Sequence, residues 1–202
     1  MEKFGKNKKV LLNGPPYIHA RQLPYCCAPA CLYMILVRRG INPDSQEAIA
    51  EELGLMVPPK WVSFFPSIIV ELSRGQFGGC RTHLPEFSIN RYFKKKGLPL
   101  KETYYTIEKI EATKKFAIEF IIENLRAGND LIVCFNNEIL HGNTNWGHAS
   151  LVQAIEGKHV TLIDPAVKAP DTVVKLSDLI LAMRLHGRRN RGGFWVISEK
   201  IT

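Results

Sequence analysis

The sequence predicts an α+β fold, and three observations carry that prediction. Helical periodicity dominates the first half of the chain, short β-rich runs dominate the second, and neither βαβ alternation nor a glycine-rich phosphate loop occurs. Its 202 residues, 46% hydrophobic and 23% charged, suit one globular domain with a full core. No window approaches the ~20 consecutive apolar residues of a membrane span. The basic start is not followed by an apolar stretch of signal-peptide length, so a cytoplasmic protein is expected.

Residues 1–16 read as a basic arm, in which Lys3, Lys6, Lys8 and Lys9 outnumber Glu2, ending in the turn Asn13-Gly-Pro-Pro16. A single domain is expected over 17–202, mainly helical over 17–113 and sheet-forming over 114–202. Tyr17 to Pro24 reads as an extended approach. From Cys27 to Val37 the chain is apolar on nearly every face. Pro29 is tolerable there only in a first turn and Gly40 is placed as a stop, which predicts a buried helix starting at or just before Cys27. Asp44-Ser-Gln-Glu47 has the form of an amino-terminal cap for a second, amphipathic helix.

Residues 55–113 read as short helices and loops, including an apolar Ile68–Leu72 turn, a Gly75–Gly79 loop and a helix-like Phe87–Phe93. Lys94-Lys95-Lys96-Gly97 reads as a helix carboxyl end. The apolar set Phe116, Ala117, Phe120, Ile121 and Leu125 has helical spacing. Strands are expected at Leu131–Phe135, Ala149–Ile155, His159–Ile163 and Gly193–Ser198, with a helix at Leu176–Leu185. Together they make a small antiparallel sheet in the carboxyl half.

The formal charge of +8 sits mostly at the arm and at Arg184, Arg188, Arg189 and Arg191, a pattern of solvated ends that disfavours nucleic acid as a partner. Five cysteines, an odd number without an export signal, read as free thiols. No second Cys pair exists to complete a zinc site, so no metal is expected.

A thiol at the start of a buried helix meets unpaired backbone N–H groups and the positive end of the helix dipole, which favour thiolate. Cys27 stands there. A cysteine nucleophile also needs a base, a group to orient that base, and donors for an oxyanion. His148, at the lip of a strand after Asn145-Trp146-Gly147, suits the base, with His141 as its competitor. Asp164 ends the next strand of the same hairpin and suits the orienting role. Gln22 has an amide able to donate alongside the Cys27 N–H. Trp146 and Gly147 are candidates for binding substrate, while Cys31, Cys80 and Cys134 read as core thiols. His19, His83, His159 and His186 have no partner pattern and read as surface or loop residues.

These residues resemble the bacteriocin-processing cysteine peptidases that cut after double-glycine leaders. The family pattern is a Gln, then Asp-Cys-Gly-x-Ala-Cys/Ala-Leu-x-Met-Ile-Leu, and later His-x-x-x-Val and Asp-Pro. Here it reads Gln22-Leu-Pro-Tyr-Cys-Cys27-Ala-Pro-Ala-Cys-Leu-Tyr-Met-Ile-Leu36, then His148-Ala-Ser-Leu-Val152 and Asp164-Pro165. Cys26 replaces the family's Asp, which creates a rival nucleophile, and Ala28 replaces its Gly. The resemblance implies a papain-like cysteine peptidase fold, with Cys27 as nucleophile, His148 as base, Asp164 as its orienter and Gln22 as oxyanion donor. It implies a thiol hydrolase acting on a peptide or protein, without a cofactor. The chain carries neither the membrane spans nor the ATPase of the exporters, so a standalone hydrolase is expected. An acyltransferase using the same triad, and a non-catalytic peptide-binding module with a decayed site, are the alternatives.

Overall fold

The computed structural model describes residues 8–65, 78–113, 115–142, 145–168 and 171–200. Ile68–Leu72 and most of the Gly75–Gly79 loop lie outside them, as do residues 1–7 of the basic arm.

A wholly antiparallel sheet organises the chain. It contains β1 (Val10–Leu11), β2 (Leu100–Tyr105), β3 (Asp130–Asn136), β4 (Gly147–Glu156), β5 (His159–Ile163), β6 (Asp171–Lys175) and β7 (Gly193–Glu199), in the order β2-β7-β3-β4-β5-β6. β3 pairs with the first half of β4, and β1 pairs with Ile155 and Ala154 near its end. Among the described residues, seven α-helices accompany the strands: α1 (Cys27–Arg38), α2 (Gln46–Glu52), α3 (Ile89–Lys95), α4 (Ile107–Ala112), α5 (Ala117–Arg126), α6 (Asn137–His141) and α7 (Leu176–His186). The four expected strands are present, yet the sheet is larger than a small carboxyl-terminal one.

Three strands fall outside the sequence reading, each for a physical reason. β1 lies inside the segment read as an arm, and Leu12 just after it is buried in the core. β2 lies inside the part read as mainly helical. Its Glu102 breaks the apolar pattern because the carboxylate points inward to pair with Arg191, 89 residues away. β6 is a sheet edge with alternating half-exposed residues, so it lacks a hydrophobic run. Phe116, read as part of the apolar face of α5, caps that helix and is exposed.

α1 is apolar all round because it is buried all round, packed between α2 and β4. Leu32, Met34, Ile35 and Leu36 are essentially inaccessible, and each contributes roughly 1.5–3 kcal/mol by burial. Pro29 stands third in α1. The first hydrogen bond of the helix, Ala30 N–H to Cys26 O at 2.9 Å, comes after it, so its missing N–H costs nothing.

The carboxyl end of α1 is held by a buried ionic knot. Asp130, at the start of β3, accepts from Arg38 Nη1 at 3.0 Å, Arg39 Nε at 2.6 Å and the Tyr17 hydroxyl at 2.9 Å. Arg38 also donates to the Asn13 and Pro15 carbonyls. The amino-terminal segment, α1 and β3 therefore meet at one carboxylate. The carboxyl-terminal basic group is likewise less free than its charge suggested: Arg191 is buried against Glu102, and Arg184 pairs with Glu111.

Candidate active site

Cys27 is the first residue of α1, with Cys26 at the N-cap and no acidic side chain in the first turn to oppose negative charge there. The chain enters through a turn closed by Cys26 N–H to Leu23 O at 3.0 Å, with Pro24 in its second position and Tyr25 in its third at φ +63°. That left-handed place favours glycine. Tyr25 occupies it with its ring packed on Gly78, where a Cβ would lie 2.6 Å from the ring, and edge-on to Trp146 at 6.5 Å between centroids.

The Cys27 thiol and the His148 imidazole face one another. His148 is the second residue of β4, and its Nε2 lies 2.8 Å from Asp164 Oδ1, which leaves Nδ1 for the thiol. Asp164 Oδ1 also accepts from Ala166 N–H at 2.8 Å, which fixes the carboxylate. Its buried Oδ2 faces His141 Nε2 at 3.3 Å, an electrostatic contact without hydrogen-bond alignment. His141 thus meets the carboxylate, and His148 is the histidine that meets the thiol.

Strand parity explains why Asp164 reaches His148. The β4–β5 hairpin turns through Gly157 and Lys158, with Glu156 opposite His159 and Ala154 opposite Thr161. Continued unbroken, that register would set Asp164 opposite Leu151, whose side chain points away from the face that carries His148. A bulge between Val152 and Ala154 shifts the register by one, so that Leu162 opposes Val152 and Ile163 opposes Leu151. Asp164 then falls in line with Ser150, on the same face as His148. Within the bulge, the Gln153 carbonyl accepts from Leu12 N–H at 2.9 Å.

The electrostatics follow the geometry. Burial opposes a thiolate at Cys27, but the hydrogen bond and charge of His148, with N–H groups of Ala149 and Ala28, outweigh it and draw the thiol below its ordinary value. Burial likewise opposes the imidazolium, yet hydrogen bonds to Asp164 and Cys27 push His148 up to about 10. Asp164 is lowered against its burial, chiefly by His148. Cys26 is 0% exposed, packed among Ala50, Leu55, Val57 and Phe65, and burial drives its thiol far up. The rival thiol is therefore shut away from substrate.

Cys27, Ala28 and His148 lie in a cleft of about 740 Å³, walled by Met56, Gly78 to His83, Asn145 to Gly147, Leu185, His186, Arg189 and Asn190 among others. Trp146 is 48% exposed at its rim. Gly147 leaves room for the His186 ring, whose Cε1 lies 2.3 Å from where a Cβ would stand. Gln22 is pinned beside Asp164 by its N–H to Pro165 O at 2.9 Å, and its side-chain oxygen is buried without a hydrogen-bond partner among the described residues. It is not part of the described cleft wall.

Three histidines read as surface or loop residues belong to this region. His19 Nε2 lies 3.0 Å from the Asp164 carbonyl, and His83 and His186 line the cleft. Their partners are distant in sequence, so no local pattern marks them.

No curated protein matches the chain. Among the solved structures that share its fold are two peptidases. One, from Bacillus anthracis and described as a C39-like peptidase, is 16% identical, with 97% of this chain and 100% of that one covered and a TM-score of 0.62. The other, a double glycine motif protease from an AMS/PCAT transporter in complex with the leader peptide, is 15% identical, with 96% and 99% covered and a TM-score of 0.51. Residues 12–181 match the model of the Peptidase_C39 like family. The chain belongs to that family, in agreement with the double-glycine peptidase resemblance of its motifs.

Proposed function

We propose that this protein is a thiol hydrolase that cleaves a peptide or amide bond through Cys27, His148 and Asp164. The observation that carries the reading is the alignment of a thiol at a helix start with His148, and of His148 Nε2 with a buried carboxylate 2.8 Å away, opening on a cleft. The Cys27 thiolate attacks the carbonyl carbon. The resulting oxyanion is held by the Cys27 N–H and the side-chain N–H of the Gln22 amide. The C–N bond then breaks as the His148 imidazolium protonates the leaving amine, giving a thioester. Water adds to the thioester, His148 takes its proton, and the acid leaves as the thiol is restored. Trp146 and Gly147 bind the substrate chain at the rim. The leader peptide in the double glycine protease structure supports a peptide as the occupant.

The test is the rate of iodoacetamide labelling against pH, located by mass spectrometry, on the wild type, Cys27→Ala and His148→Ala. Fast labelling of Cys27 below pH ~7 that the His148 change abolishes is the expected result. Labelling no faster than an ordinary thiol, or label on Cys26, overturns the assignment. Against a cleaved peptide, His148→Ala is expected to lower kcat by at least about 10³-fold, and Gln22→Ala by about 10²-fold.

A further inference from the structure

Apart from the Cys27–His148 pair, the charged side chains of the cleft among the described residues are basic. Among the described residues of its wall are Arg81, Arg189 and the histidines His83, His148 and His186, and none is Asp or Glu. Burial lowers His186, which leaves its ring neutral near pH 7. Elsewhere in the basic carboxyl-terminal group, Arg184 pairs with Glu111 and Arg191 with Glu102. Arg189 has no such partner among the described residues and is exposed at the cleft. Arg81 is held in place, its Nε donating to Gly54 O at 3.0 Å and its guanidinium stacked 4.1 Å from the Phe87 ring centroid. It makes no ion pair among the described residues.

Resting on the reading of this cleft as the substrate site, we infer that its substrate is an acidic peptide, with Arg189 and Arg81 receiving its carboxylates. A cleft lined by one sign of charge concentrates ligands of the other. Guanidinium groups suit carboxylates because they donate two parallel N–H bonds. Thr82, Asn136, Asn145 and Asn190 supply neutral partners for a peptide backbone. A nucleic acid fits less well, because the face of Trp195 is already covered by Arg191, 4.7 Å from its centroid, and is closed to a stacking base.

Two measurements separate this inference from the hydrolase reading. In the Cys27→Ala variant, which cannot react, a labelled Ala/Glu hexapeptide is expected to bind at least about tenfold tighter than its Ala/Gln counterpart, by fluorescence anisotropy. Arg189→Glu should erase that preference, while Lys101→Glu, which makes the same charge change on β2, should keep it. In the unsubstituted protein, Cys27 is expected to favour anionic iodoacetate over neutral iodoacetamide by about threefold more than a small thiol does, and Arg189→Glu should remove the bias. Equal binding of the two peptides, a preference that survives Arg189→Glu, or displacement by a single-stranded oligonucleotide but not by the Ala/Glu peptide overturns the inference. Fast iodoacetamide labelling without charge preference sinks the acidic substrate alone. Slow labelling with intact acidic-peptide binding sinks the hydrolase alone.

Discussion

Two thiols stand side by side at the start of α1, and burial decides between them. Cys26 faces an apolar pocket that raises its pKa, whereas Cys27 faces an imidazole that lowers it. Because Cys27 is drawn down and His148 is pushed up to about 10, the pair is thiolate and imidazolium between those two limits. Peptide cleavage is expected to rise through the lowered Cys27 value and to fall as pH climbs through about 10, where the imidazolium needed by the leaving amine is lost. Asp164→Asn removes the carboxylate that raises His148, so its alkaline fall should come at lower pH. An unmoved alkaline limb in that variant would count against the coupling. Cys27, His148 and Asp164 were legible in sequence because each sits at the start or end of an element with a local signature. His186 and His19 were not, since their contacts with Gly147 and the Asp164 carbonyl span many residues and leave no periodic mark.

At the level of elements, the β4–β5 hairpin shows where pattern reading stops. The turn at Gly157 and both strands are visible in the alternation of residues, and so is the closeness of His148 and Asp164. The bulge at Gln153 that puts them on one face is not, because one extra residue leaves the local hydrophobicity unchanged. Deleting Gln153 removes the bulge and one position together, so Asp164 should stay in line with Ser150, on the face of His148. The expected outcome is a His148 that still titrates well above its ordinary value by NMR and a kcat kept within about tenfold, with far-UV circular dichroism retained. A folded deletion variant whose His148 titrates at its ordinary value would show that parity does not position the carboxylate. β2 and β6 were missed for different reasons: one hides a buried charge pair, the other is an edge with little to bury.

Across the whole molecule, the Asp130 knot joins the amino-terminal segment, α1 and β3, and hence the two halves that meet at the site. Both arginines and the carboxylate are largely shielded from water. Replacing Asp130 by Ala leaves two buried guanidinium groups without their counter-charge, with an expected loss of about 3–5 kcal/mol in urea unfolding. A loss below about 1 kcal/mol would mean that the arginines find other partners. The knot was not legible in sequence, since Tyr17, Arg38, Arg39 and Asp130 are ordinary residues until the fold gathers them. The mixed architecture was legible, because helical and strand periodicities are segregated along the chain; its full width was not, because β1 joins the sheet from the arm and β2 from the helical part. Among the described residues no helix is long and apolar enough to cross a membrane.

The bulge also turns spacing into something that can be counted in other chains. With a two-residue turn and one bulge, the histidine and the aspartate stand an even number of positions apart. A relative with the same turn and no bulge must have an odd interval to keep the two side chains on one face. Insertions and deletions between them should therefore be accepted in pairs, or singly only where a bulge appears or disappears.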